Sequence, residues 1–267
     1  MNQLGWKILK SNVLQGDYIV LGADGNLGPL WVRAIIENGG SVVGIGLHSS
    51  KDQKLKAISS EYPGKLEVLD YDLKSESSTS LENSLKKIYS GVVLNAGIDS
   101  LPGTGYSSLE EFGREEWAST FQVNVFGNIE FLNYLLRNSK LSKASIVFIG
   151  SMYSQISPSV DLYSHFKGGI GSIKNPAYSA SKAAIASAVR QYGTHLASQG
   201  MRVNMLSPGG VLGNQDEKFV EKFEAKSPSG KMISPAILGN HLVYLLSSMS
   251  NSLIGQNLIV DDGYSVW

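Results

Sequence analysis

The sequence predicts an α/β fold, a doubly wound seven-stranded parallel sheet with helices on both faces. Three observations predict it. Short β-branched runs alternate with longer stretches of helical period along the chain. Two of those runs, GVVLNAG and SIVFIGS, are almost continuously apolar, as strands buried on both faces are. A glycine-rich turn also joins the first strand to the first helix. No internal repeat, low-complexity tract or composition shift interrupts the 267 residues, so residues 1–267 are read as one domain.

The strands are expected at Tyr18–Leu21, Ser41–Leu47, Leu66–Leu69, Val92–Leu94, Ser145–Ile149, Arg202–Leu206 and Asn257–Val260. Between them, apolar residues recur three and four apart in Leu27–Asn38, Ser80–Tyr89, Trp117–Arg137, Ala177–Ser198 and Ala236–Ser247, which predicts helices. Asn175 suits an N-cap and Pro176 a first helical position. Residues 152–177 break the rhythm: they are long, aromatic and polar, and Gly168, Gly169, Gly171 and Pro176 argue against regular structure. They are read as a substrate-loop insertion.

Composition narrows the class. Apolar residues make up 42% and charged residues 17%, enough for a large core. Lysine plus arginine equals aspartate plus glutamate at 23 each, so no net field draws nucleic acid or an anionic membrane. Cysteine is absent, which excludes disulfides and thiolate chemistry. The first twenty residues hold no continuous apolar run of the signal-peptide kind, and nowhere do 18 apolar residues follow one another. The expectation is a soluble cytoplasmic protein. Its four histidines lack metal-ligand spacing, so no metal is expected.

The strand DYIVL runs into Gly22-Ala-Asp24-Gly25-Asn26-Leu27-Gly28 and then a helix. Glycines there let backbone approach a pyrophosphate, and a helix N-terminus offers free N–H groups. Alone, the same residues also suit an ordinary strand-to-helix turn. The second strand ends at Gly46, where an acidic side chain would select the ribose 2′-hydroxyl of NAD. Leu47, His48, Ser49, Ser50 and Lys51 follow instead, and the missing carboxylate favours NADP over NAD. Lys51 also suits a solvated helix start. After the third strand, Asp72 and Leu73 are candidates for the adenine side of the site, with a helix N-cap as the other role for Asp72.

Tyr178-Ser-Ala-Ser-Lys182 places a phenol and an ammonium one helical turn apart on one face. A tyrosine of ordinary pKa near about 10 is a weak base, and a neighbouring cation favours its phenolate. Such a tyrosine can exchange a proton with an alcohol or carbonyl oxygen.

In order and spacing, the glycine turn, Asp72, Leu94-Asn95-Ala96-Gly97, Asn124, Ser151, Tyr178-x-x-x-Lys182 and Ser207-Pro208-Gly209-Gly210 resemble the short-chain dehydrogenase/reductases over nearly the whole chain. The resemblance implies a Rossmann-like dinucleotide-binding fold and a catalytic set. In it Ser151 holds the substrate oxygen and Tyr178 is the acid/base. Lys182 grips the nicotinamide ribose and lowers the phenol pKa, and the Asn124 carbonyl holds a relay water. It further implies that Asn95, Ala96 and Gly97 underlie the adenine ribose, while Pro208, Gly209 and Val211 pass beside the nicotinamide.

Three departures from the family pattern stand out. Leu21 and Asn26 replace a threonine and the middle glycine of the turn, leaving a Gly-x-x-Gly-x-x-Gly spacing nearer the family's extended branch. Only residues 211–267 follow Gly210, too few for that branch's larger substrate domain. The threonine that often follows the Pro-Gly is absent, and the Ser151–Tyr178 interval is longer than usual.

The insertion and the ending GQNLIVDDGYSVW are similar to oxidoreductases of surface-polysaccharide and flagellin-glycan sugar pathways. Within the insertion, Tyr153, Tyr163, His165 and Lys167 are candidate substrate contacts, or else exposed loop residues. The implied activity is NAD(P)-dependent interconversion of a secondary alcohol and a ketone, on a sugar or sugar derivative. A non-catalytic dinucleotide sensor, and a sugar-nucleotide epimerase or dehydratase using the same tyrosine and lysine, are the alternatives. Apolar surface on Trp117–Arg137 and Ala177–Ser198 further implies a homo-oligomer, a dimer or tetramer.

Overall fold

Seven parallel strands hydrogen-bond in the order β3-β2-β1-β4-β5-β6-β7. They are β1 (Asp17–Leu21), β2 (Ser41–Gly46), β3 (Leu66–Asp70), β4 (Tyr89–Leu94), β5 (Leu141–Ile149), β6 (Arg202–Pro208) and β7 (Asn257–Val260). The structure is a computed structural model that describes residues 13–74, 81–99, 108–165 and 173–267. Among the described residues the α-helices are α1 (Gly28–Glu37), α2 (Gln53–Glu61), α3 (Arg114–Phe121), α4 (Asn128–Arg137), α5 (Pro176–Leu196), α6 (Glu217–Lys226) and α7 (Pro235–Leu246).

The apolar runs make a central sheet because alternate side chains serve opposite faces. Val20, Val93 and Val147 join one core with Trp31, Ile35 and Leu242, beneath α1, α2 and α7. Their neighbours Ile19, Leu21, Val92, Leu94, Ile146 and Phe148 join a second core with Phe131, Leu135, Ile185 and Val189 of α4 and α5. Register aligns these positions, with Val20 opposite Val93 and Val93 opposite Val147. Every strand therefore ends at one edge. Chain order reverses there between β1 and β4, the place where open α/β sheets form a crevice.

The departures from expectation are local. Ser80–Tyr89 does not form the expected helix: the described part makes one turn, closed by the Leu85 N–H on the Leu81 carbonyl at 2.9 Å, and Tyr89 opens β4. Leu81, Leu85 and Tyr89 are all buried, so their four-residue spacing reports burial and not helix continuation. Trp117–Arg137 is broken into α3 and α4 by a π-helical turn at Gln122–Gly127. Helices α2 and α6 add to those named from periodicity; their mainly polar sequences leave only Leu55, Ile58 and Phe223 buried. The insertion carries two short 3₁₀ turns, Met152–Ser154 and Val160–Tyr163. No helix among the described residues is long and apolar enough to cross a membrane.

Candidate active site

The glycine turn is fixed from three sides. The N–H groups of Gly22 and Ala23 both reach the Ile45 carbonyl, at 2.7 and 3.0 Å, extending the β1–β2 pairing past the strand end. Gly22 has φ +77°, and a Cβ there would lie 2.7 Å from the Ala96 backbone, so only glycine fits. Asn95 stitches the turn to α1: its amide donates to the Gly22 carbonyl at 2.7 Å and its oxygen accepts the Trp31 indole N–H at 2.9 Å. Helix α1 opens at Gly28 behind Leu27, without a side-chain cap for its first amides. Gly25 and Asn26 form the tip of the turn, where the Gly25 N–H reaches the Gly22 carbonyl at 3.2 Å.

At the end of β2, His48 donates its backbone N–H to Asp24 at 2.5 Å, and Ser49 is fully buried with no hydrogen-bond partner for its hydroxyl. Asp72 accepts the Lys74 N–H at 2.8 Å in a local cap, while Leu73 packs beneath Gly127. At the far side, Pro208 ends β6, Gly209 bonds the Val260 carbonyl at 2.8 Å, and Val211 bridges to Ile233.

The catalytic candidates converge on the same edge. Ser151 lies just beyond β5, where its hydroxyl accepts the Tyr153 N–H at 3.2 Å and helps to hold the Tyr178 phenol pKa down. Asn175 caps α5 through the Ala177 N–H at 2.9 Å and Pro176 occupies the first turn, which sets the helix phase. Lys182, one turn after Tyr178, bonds the Ile149 carbonyl at 2.9 Å and sits 5.6 Å from the centre of the Tyr178 ring. Lys182 is buried, and a Cβ on Gly97 would lie 3.4 Å from its Nζ, so the bare backbone there leaves the ammonium room. Asn124, within the π turn, accepts the Ile98 N–H at 2.7 Å and donates to Ser181 at 3.0 Å, tying the segment after β4 to α5. Its backbone carbonyl accepts the Asn128 side-chain amide at 3.2 Å.

Electrostatics differ from the sequence expectation of an acidified phenol. Burial pushes Tyr178 up to about 12, and Asp99 adds to the rise. Lys174 and the Ser151 hydroxyl pull it down without prevailing. Burial brings Lys182 down to about 8, with Asp99 opposing. Tyr178 is thus a neutral phenol at pH 7 in the protein alone, poised as a proton donor.

Sequence reasoning missed Lys174 and Asp99. The two form an ion pair, and the Lys174 ammonium lies 5.2 Å from the Tyr178 ring centre and 5.9 Å from that of Tyr153. Burial works against the Lys174 charge, but Asp99, Tyr163 and Tyr178 outweigh it and its pKa lies above the usual value. The available signal was position: Lys174 immediately precedes the Asn175 cap, four residues before Tyr178.

The insertion residues divide. Tyr153 and Tyr163 join a buried cluster with Phe223, against which Tyr178 packs. They are packed walls, not the exposed loop residues of the other reading. His165 instead pairs with Asp216 at 2.8 Å, at the cap of α6. Lys167 lies outside the described residues. Among the described residues no group of three or more His, Asp or Glu is placed to hold a metal ion.

These residues fit a dinucleotide. A glycine-rich turn at the switch point, an unpartnered buried hydroxyl at Ser49 and bare backbone at Gly97 beside Lys182 are the features that would receive such a group. Comparisons with known proteins agree. A family model described as enoyl-(acyl carrier protein) reductase matches residues 22–265. The chain is 24% identical to 2,3-dihydro-2,3-dihydroxybenzoate dehydrogenase of Escherichia coli K12, over 91% of this chain and 94% of that one. It is 26% identical to post-translational flagellin modification protein A of Campylobacter coli, over 92% and 97%. Among solved structures, a short chain dehydrogenase from Leptospira borgpetersenii with bound NAD+ superposes with TM-score 0.78 at 25% identity, covering 100% of both chains.

Proposed function

The chain belongs to the short-chain dehydrogenase/reductase family of NAD(P)-dependent oxidoreductases, and within it we propose that the protein interconverts a secondary alcohol and a ketone on a sugar or sugar derivative. The observation that carries this reading is the convergence of Ser151, Tyr178 and Lys182 at the carboxyl edge of the sheet, beside the glycine turn. The sugar assignment is supported by relatives such as the flagellin modification protein and a glucose 1-dehydrogenase of Gluconobacter oxydans, 26% identical over 93% of this chain and 91% of that one.

When bound, the nicotinamide supplies or accepts the hydride. The chain's own residues handle the oxygen and its proton. Ser151 donates a hydrogen bond to the substrate oxygen and holds it against Tyr178. Tyr178, neutral at pH 7, gives its phenolic proton to the developing alkoxide in reduction, and in oxidation its ionised phenolate takes the proton from the substrate hydroxyl. The Lys182 ammonium, fixed by the Ile149 carbonyl, stabilises the phenolate left behind. Asn124 is a positioning residue that holds the Ile98 backbone against α5. Tyr153 and Tyr163 wall the substrate side and keep water from the phenol. Exposed Trp117 and Phe126, joined through Phe121 in an aromatic row, support assembly into a homo-oligomer.

The test is Tyr178→Phe, assayed with reduced dinucleotide and a panel of keto-sugars. Turnover is expected to fall about 10²–10⁴-fold with dinucleotide affinity unchanged. A variant that turns over at the wild-type rate would overturn the mechanism.

A further inference from the structure

The end of β2 lacks the acidic residue that reads a ribose in many dinucleotide sites, because residue 46 is glycine. A carboxylate nevertheless stands there, brought in from the neighbouring turn. A Cβ built on Gly46 would lie 1.9 Å from Oδ1 of Asp24 and 2.6 Å from its Cγ. The Asp24 carboxylate therefore fills the space that a side chain at position 46 would need, and glycine at 46 and aspartate at 24 are sterically linked. Oδ2 is held by the His48 N–H at 2.5 Å, which fixes the carboxylate in this place.

A second, independent observation points to a ligand at the same spot. The Ser49 hydroxyl lies 2.9 Å from that Gly46 Cβ position, is fully buried, and has no hydrogen-bond partner. A buried hydroxyl without a partner is costly, and a ligand that supplies one relieves the cost. A vicinal diol offers a donor to the carboxylate and an acceptor to the serine; a phosphate monoester offers no donor and adds negative charge beside Asp24. The lysine of the adjoining loop faces another acid: Asp70 accepts the Ser50 N–H at 2.8 Å and also the Ser50 hydroxyl, and it interacts with Lys51.

We propose that Asp24, working with Ser49, is the specificity-determining residue for the dinucleotide, accepting the adenosine ribose 2′-hydroxyl and rejecting a 2′-phosphate, so that the protein takes NAD in preference to NADP. This replaces the NADP preference drawn from Gly46 and the hydroxyls and lysine after it, which counted a carboxylate as missing because it belongs to a different part of the sequence. The inference rests on the dinucleotide reading of the site.

The experiment is calorimetric titration of the full chain, wild type and Asp24→Asn, with NADH and NADPH separately. Asparagine keeps an oxygen for the His48 N–H and removes the charge. Wild type is expected to bind NADH at least about tenfold tighter than NADPH. In Asp24→Asn, NADPH affinity is expected to rise by about tenfold while NADH affinity falls, a gain that mere loosening of the turn cannot produce. Wild type preferring NADPH, or an affinity ratio unmoved by the substitution, overturns the assignment of Asp24 and leaves the dinucleotide site standing. Binding of neither nucleotide overturns that site and this proposal with it.

Discussion

The two sides of the crevice are built by different means. On the cofactor side, backbone does most of the work: Gly22 lies against Ala96, and Asn95 and the Ile45 carbonyl tie the turn to its neighbours. On the substrate side, aromatic side chains from distant parts of the chain pack together, with Tyr163 5.5 Å from Phe219 and Phe223 stacked at 4.5 Å on Tyr264. Where backbone passes close to backbone, few residues are tolerated and sequence spacing becomes a reliable guide. A wall of side chains can be assembled from many sequences, so spacing says little about it.

Phe223→Ala should give the largest effect. Its ring is buried between Tyr264 and the bare backbone of Gly210, and truncation is expected to cost about 3–5 kcal/mol of stability in urea titration. If the two sides are separable, the folded fraction still binds dinucleotide while KM for the substrate rises. Gly22→Ala strikes the opposite side. A methyl there must displace the Ala96 backbone and hold φ near +77°, and the expected cost is about 2–4 kcal/mol. Here dinucleotide affinity, measured by NADH fluorescence, should fall first.

Lys174→Met probes the seam between the two. Losing the ammonium 5.2 Å from the Tyr178 ring removes a cation that pulls the phenol pKa down. Alcohol oxidation, which needs the deprotonated phenol, should slow about tenfold at fixed pH, close to about 1.4 kcal/mol of barrier. Its rate-against-pH curve should move to higher pH. In the wild type, oxidation is expected to quicken as pH rises, since more Tyr178 is ionised. Carbonyl reduction should stay level near neutrality and decline as pH passes about 8, where Lys182 gives up its proton. A reduction rate that climbs through that range would contradict the assigned proton donor.

All seven strands, and the chain segments that meet at their carboxyl edge, were legible in the sequence. Strand burial writes itself as continuous apolar runs, and glycine appears where no Cβ fits. The Tyr178–Lys182 pair was legible because one helical turn fixes its geometry. The break at Gln122–Gly127 was hidden, since the apolar period continues on both sides of it. Asp24 was counted with the glycine turn, while its carboxylate acts at the end of a different strand; such an exchange between adjacent strands leaves no periodic trace. Lys174 was passed over because the segment holding it has no regular period, and its partner Asp99 lies 75 positions away. The phenol pKa was misjudged for a related reason: a charge can be read from spacing, but the degree of burial that outweighs it cannot.

The widened turn at Gln122–Gly127 has a consequence for how this chain can vary. Each residue of an α-helix advances the chain about 100° around the axis, so inserting or deleting one residue rotates everything downstream by that amount. A π turn closes i→i+5 instead of i→i+4, so it holds one residue more than an α turn between the same flanking faces. A one-residue deletion inside Gln122–Gly127 therefore closes it to an ordinary α turn and leaves Phe131 and Leu135 of α4 on the sheet. The same deletion within α4 itself has no widened turn to absorb it and swings the residues beyond it off the sheet.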